Sequence, residues 1–239
     1  MAIACPFYSN LAAPVIKFCE PNLCASIVQP ANAWSNLAYV IVGLTILILA
    51  KNDKKNLLWW LGPITILIGL FSFAYHASYT FIGQMLDLGS MFLFATFLLI
   101  INMKRIKPSL KNTTATWLFV FINVFCLVLM YIIRTAKGFN IGILIFGMEL
   151  AIILMLEAIA WSRAKTHYRL SHILTALLIA SVAAVIWMFD YTHLWCNANT
   201  YHYLNGHELW HILTAASLLF VYFFYRQFEL HPATANKLI

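Results

Sequence analysis

The sequence predicts an all-α integral membrane protein: one bundle of seven transmembrane helices, N-terminus extracytoplasmic and C-terminus cytoplasmic. Three observations carry this. Hydrophobic residues make up 63% of the chain and charged residues 10%, with mean hydropathy +0.83, far more apolar surface than a soluble exterior accommodates. Seven stretches are long and apolar enough to cross a hydrocarbon core, which takes roughly 20 helical residues. The basic residues gather on one side of the implied membrane, as the positive-inside rule requires.

Residues 1–31 are expected to form an ordered extracytoplasmic segment. They lack the basic start and continuous apolar core of a signal peptide, and Pro6, Pro14, Pro21 and Pro30 interrupt them. The seven-helix domain is expected over 32–227, with spans near 32–50, 57–77, 84–103, 113–133, 141–161, 172–190 and 207–225, and a cytoplasmic tail over 228–239. Polar clusters separate several spans: Lys51 to Asn56, Lys104 to Pro108, Lys137 to Asn140, and Ser162 to Lys165. Trp59, Trp60, Trp161 and Trp187, near helix ends, read as interfacial anchors.

The net charge of +7 raises the question of a nucleic-acid partner. With seven helices, the breaks after the first, third and fifth share a side with the C-terminus. That side holds Lys51, Lys54, Lys55, Lys104, Arg105, Lys107, Lys111, Arg163, Lys165, Arg169, Arg226 and Lys237, against Lys17, Arg134 and Lys137 opposite: 12 against 3. The basicity therefore reports topology and contact with anionic lipid. Neither a nucleic acid nor a soluble protein partner is implied.

Cys5, Cys19, Cys24 and Cys196 fall on the extracytoplasmic, more oxidising side, and Cys126 within the fourth helix. Spacing alone leaves the pairing of four cysteines open.

The chemistry starts at His207-Glu208-Leu209-Trp210-His211. Positions i and i+4 share one helix face, so both imidazoles point the same way, and such a pair is half of a zinc site. Topology places His76 at the outer end of the second helix, Ser72 one turn deeper on the same face, and Asp87 in the first turns of the third. His76, Asp87, His207 and His211 are thus expected at one depth, near the extracytoplasmic leaflet. Ionisable groups are expensive there and mark function. Three imidazoles leave the fourth tetrahedral position of zinc open, the catalytic pattern. Zinc lowers the pKa of a bound water towards about 7 and polarises a carbonyl oxygen. Asp87 is suited to carry the proton to a leaving amine, and Ser72 to hydrogen-bond the developing oxyanion.

The remaining ionisable residues have plainer readings. His167, His172 and His231 read as ordinary cytoplasmic-side polar groups, while His193 and His202 sit in the outer loop without pattern support. Glu149 and Glu157, deeper on the fifth helix, read as structural, with Glu157 able to pair with Arg163. Asp190 is placed to orient Tyr191 or the following loop.

Competing functions are separable. His207-Glu208-x-x-His211 also fits the zinc-protease spelling, with Glu208 as base and Asp87 as third ligand, but this leaves His76 unexplained. A receptor or non-catalytic bundle would use zinc only to pin helices. Residues 207–225 contain no lysine for a retinal Schiff base, and no inverted repeat suggests a transporter.

The set Phe18-Cys19-Glu20-x-Asn22, Ser72-x-x-x-His76, Asp87 eleven residues after His76, and His207-x-x-x-His211 resembles the alkaline ceramidases, with Asn32, Ser35 and Asn36 opening the first helix. That family belongs to a superfamily of seven-helix hydrolases with the adiponectin and progestin receptors as distant members. The resemblance runs from Cys19 to the last helix. It implies hydrolysis of the ceramide amide to a sphingoid base and a fatty acid, with His76, His207 and His211 as zinc ligands flanked by Ser72 and Asp87. It favours a Cys19–Cys196 disulfide. It also implies a calcium site around Phe18, Glu20 and Asn22, completed by an acid two before the cysteine and a glutamate just before the first helix. Here the first of those positions is Lys17, and near the second lie Gln29 and Ala31. Two lost carboxylates and a gained cation argue against calcium, and the Lys17 ammonium paired with Glu20 is the alternative occupant.

Overall fold

The computed structural model describes residues 7–51, 57–138, 140–163, 168–197, 199–200 and 202–230. Cys5, Lys54, Lys55, Lys165, His167, His231, Lys237 and the tail beyond residue 230 lie outside the described residues. All regular structure among the described residues is helical, and seven spans are long and apolar enough to cross a membrane.

The first span is built from α1 (Pro30–Ser35) and α2 (Leu37–Leu49). The helix begins two residues before the expected start because Pro30 sits at its first position, where a missing N–H is harmless and φ is already helical. Asn36 marks the joint, its side-chain amide donating to the Asn32 carbonyl at 2.7 Å. A 3₁₀ turn, Leu57–Trp60, leads into α3 (Leu61–Ser78). Gly43 of α2 lets the two helices approach closely, since a Cβ there would stand 2.8 Å from the Gly62 carbonyl oxygen.

Tyr79, in the left-handed conformation (φ 46°), ends α3. Thr80 then caps α4 (Phe81–Ile106), its side chain accepting from Gly83 N at 3.2 Å. The cap starts α4 three residues early, and its far end extends to Ile106, so Arg105 belongs to a helix rather than a connecting segment. With 15 of its 26 residues buried, α4 is the central helix. Around it stand α3, α5 (Asn112–Lys137) and α6 (Gly142–Arg163). α7 (Ser171–Tyr191) packs along α8 (Gly206–Leu230), which returns to α1 and α2. α6 and α7, neighbours in sequence, do not pack tightly together. The main apolar core joins α2, α3, α4 and α8.

The intramembrane acids find partners that sequence reasoning did not name. Glu157 pairs with Arg105 and accepts from the Tyr168 hydroxyl at 2.8 Å. The expected partner Arg163 is exposed, because it lies at the very end of α6 while the last turn of α4 delivers Arg105 to the acid. Rings of Tyr168, Phe224, Tyr225 and Phe228 surround the guanidinium, the nearest 3.8 Å away. Glu149 is buried and accepts from Thr96 at 2.7 Å.

Candidate metal centre

The chain segment before α1 folds back over the end of the bundle where α3 stops and α4 and α8 begin. Val28 and Gln29 N–H groups bond the carbonyls of Ala77 and His76 at 3.0 and 3.1 Å. Cys19 and Cys196 are disulfide-bonded, tying this segment to the loop before α8. Cys24 is disulfide-bonded as well, and Cys126 is free and buried. Asp190, fully buried at the end of α7, accepts from Cys19 N at 2.9 Å and from His207 N at 3.2 Å. It therefore ties the N-terminal segment to the start of α8, holding the far end of the loop that follows it, as the second of its two expected roles has it.

Under this cover His76, His207 and His211 converge, one ligand atom from each lying within 4.8 Å of the others. All three are buried. The His76 ring nitrogen Nδ1 meets Gln29 Oε1 at 2.8 Å; a carbonyl oxygen only accepts, so Nδ1 carries the proton and Nε2 presents its lone pair. At His211, Nδ1 stands 2.8 Å from Ser35 Oγ, whose own hydrogen goes to the Asn32 carbonyl. That leaves Oγ as acceptor and Nε2 of His211 free. His207 Nε2 lies 3.1 Å from His76 Nε2, and its Nδ1 is buried without a hydrogen-bond partner. Two imidazole nitrogens on one tetrahedral zinc stand about 3.3 Å apart. The donor set therefore fits a zinc ion on three imidazoles, with two rings oriented from behind by Gln29 and Ser35.

Asp87 is outside this group of ligand atoms. It lies against Ser72, and the two line the same cavity as His207 and His211. Glu208 does not line it, and its Oε2 is unpartnered. Steric reach explains this: Glu208 is one residue round the helix from His207 and so points away from His76. The ligand atoms that lie within reach of one common ion are those of His76, His207 and His211, and Asp87 is not in that group.

Residues 13–237 match the model of the protein family described as Ceramidase. The chain belongs to the ceramidase family. Its members are hydrolases acting on amide bonds, which suits a cavity lined by His207 and His211 with His76 beside them. A comparison with curated proteins found no match.

In this ceramidase-family chain the cavity at the histidines measures about 100 Å³. A second, almost wholly apolar cavity of about 190 Å³ shares Tyr39, Ile68, Met91, Phe146 and Trp210 as a common wall and continues between α6 and α7. Trp187 lines the first cavity and packs on Trp210, so it serves the site and is not merely an interfacial anchor.

The residues singled out for calcium take other duties. Phe18 lays its ring on His207, centroids 3.8 Å apart, and roofs the histidines. Glu20 is buried; its oxygens accept from Ala31 N and Asn32 N at 2.9 and 2.8 Å, and His202 Nδ1 lies 3.1 Å away. Burial pushes the Glu20 carboxyl up, while the N–H groups of Asn32 and Ala31 pull it down. The expected Lys17–Glu20 pair does not form: Lys17 is exposed and has no ion pair among the described residues. The first turn of α1 already supplies the carboxylate with donors. His193 is exposed beside Cys196, whose disulfide leaves no thiolate for a metal.

Sequence reasoning missed Gln29, Ser35 and Asp190 as supports of this centre. Asp190 carried a signal as an acid at an intramembrane helix end, and Ser35 and Gln29 stood out only through the family resemblance, with no role toward the histidines.

Proposed function

We propose that this protein is a zinc-dependent intramembrane amidase that hydrolyses ceramide or a closely related lipid amide to a sphingoid base and a fatty acid. The observation that carries the reading is a three-imidazole centre beside a cavity that shares its wall with a second, almost wholly apolar one. His76, His207 and His211 would hold the ion. Bound zinc supplies a Lewis acid for the amide carbonyl and brings a water to nucleophilic strength near neutral pH.

The side chains around it have separable tasks. Gln29 and Ser35 hold His76 and His211 in the tautomers that present Nε2. Asp87 takes a proton from the attacking water and hands it to the leaving nitrogen, so that the amine departs neutral. The Ser72 hydroxyl donates to the oxygen that gains charge as the carbonyl is attacked. Phe18 and the segment behind it exclude bulk water from above.

The second cavity accepts an acyl or sphingoid chain, since its walls offer little but hydrocarbon. Loose packing between α6 and α7 supports lateral access from the bilayer. By the distribution of basic residues, the N-terminus and the centre face the extracytoplasmic leaflet.

Purified protein in mixed micelles should release fatty acid from ceramide, lose that activity on chelation and regain it with zinc. Absence of release from any long-chain lipid amide by zinc-loaded protein would sink the reading.

A further inference from the structure

Gln29, the residue just before α1, is 1% exposed and spends all four of its hydrogen-bonding valences inside the protein. Its Nε2 donates to the Glu20 main-chain carbonyl at 3.2 Å and to Asn22 Oδ1 at 2.9 Å. Its Oε1 accepts from His76 Nδ1 at 2.8 Å and from Asn32 Nδ2 at 3.3 Å. The orientation of the amide is dictated by its neighbours, because a main-chain carbonyl only accepts and so must face the nitrogen. A carboxylate at this position would set oxygen against oxygen and require a cation between them. The Glu20 carboxylate, next along the same segment, is satisfied by the Ala31 and Asn32 N–H groups and His202.

We infer that the Gln29 side-chain amide stands in for a cation at the N-terminal clasp and acts as the positioning residue for His76, joining the two without calcium. The clasp itself rests on its own hydrogen bonds; only the consequence at His76 rests on the zinc reading above. Replacing Gln29 by glutamate keeps an oxygen facing His76 and Asn32. The second carboxylate oxygen then meets the Glu20 carbonyl and Asn22 Oδ1, an all-oxygen cluster of the kind calcium takes. Adding an acid at exposed Lys17 strengthens the local negative charge.

The test uses the full chain purified in calcium-free buffer, with and without added millimolar calcium. Thermal unfolding, bound calcium and bound zinc are measured for the natural sequence, Gln29→Met, Gln29→Glu and Lys17→Asp/Gln29→Glu. The natural chain should bind no calcium and keep the same Tm in both buffers. Lys17→Asp/Gln29→Glu should bind calcium and gain a few degrees in Tm from it. Without calcium its zinc affinity should fall roughly tenfold or more, as does that of Gln29→Met, which calcium does not rescue. Stoichiometric calcium in the natural chain overturns the inference. So do folded glutamate variants whose Tm and zinc content ignore calcium. A natural chain that binds no zinc, while the calcium response of the glutamate variants persists, overturns the zinc reading and leaves the clasp standing.

Discussion

Two polar clusters are buried at opposite ends of the same bundle, and they use their polarity differently. At the end of α4, Arg105 and Glu157 close on each other, Tyr168 adds its hydroxyl, and aromatic rings wall the guanidinium. The positive and negative charges neutralise one another within the cluster. At the other end His76 and His211 turn Nδ1 to Gln29 and Ser35, His207 Nδ1 has no partner, and the Nε2 atoms of His76 and His207 face each other at 3.1 Å. Their free nitrogens converge. A closed cluster holds helices together; a cluster with aligned, uncommitted donors is a place for something else to bind. Burial of charge in an apolar bundle is therefore weak grounds for function until the partners are traced.

The largest effects are expected at the histidines. His76→Ala, His207→Ala or His211→Ala should lower bound zinc below detection and bring lipid-amide hydrolysis to background, read by metal analysis and fatty-acid release. Asp87→Asn separates metal from proton transfer: zinc stays at the natural stoichiometry, while turnover falls about 10²–10⁴-fold. A variant that loses zinc as well would make Asp87 a ligand and revive the protease-like set.

At the closed cluster the readout is stability. Arg105→Leu strands a largely buried carboxylate and should cost roughly 2–4 kcal/mol, somewhat less than for a fully buried pair, while Arg105→Leu/Glu157→Leu recovers most of it. Thermal unfolding in detergent checks this, and the zinc content of the folded fraction should not change. Between the clusters, Ala180→Trp narrows the apolar cavity and should slow long-chain amides roughly tenfold relative to short-chain ones. Equal slowing of both would place the chain elsewhere. The smallest effect is expected from Glu208→Gln, with activity within a few-fold of the natural chain; abolition would return Glu208 to the role of base.

Much of this was legible in advance because lipid imposes simple rules. Seven apolar runs marked seven spans, and i,i+4 spacing put His207 and His211 on one helix face. Depth alone brought His76 and Ser72 into the same region, since each sits near the end of the same helix. Helix ends were less legible: Pro30 and the Thr80 cap start their helices earlier than hydropathy suggested. Hydropathy senses lipid, whereas capping obeys local hydrogen bonding.

Partners across the bundle were the hardest to read. The Lys17 ammonium was expected in place of the calcium that the family resemblance implies, paired with Glu20, yet the first turn of α1 takes the carboxylate and Lys17 is exposed. Arg163 looked closer to Glu157 in sequence than Arg105, which arrives from another helix. Trp187 looked like an anchor because it lies near a helix end, but the packing of α7 on α8 turns it to the cavity.

Composition and periodicity settle the spans and the shared face of the last two histidines, because these depend on local helix geometry and on the solvent each helix meets. The completed centre depends on contacts between distant positions: Gln29 with His76, Ser35 with His211, Asp190 with Cys19. No local pattern records such contacts. A neutral glutamine can take the place expected of a charged residue only when folding brings a main-chain carbonyl to one end of its amide and an imidazole to the other.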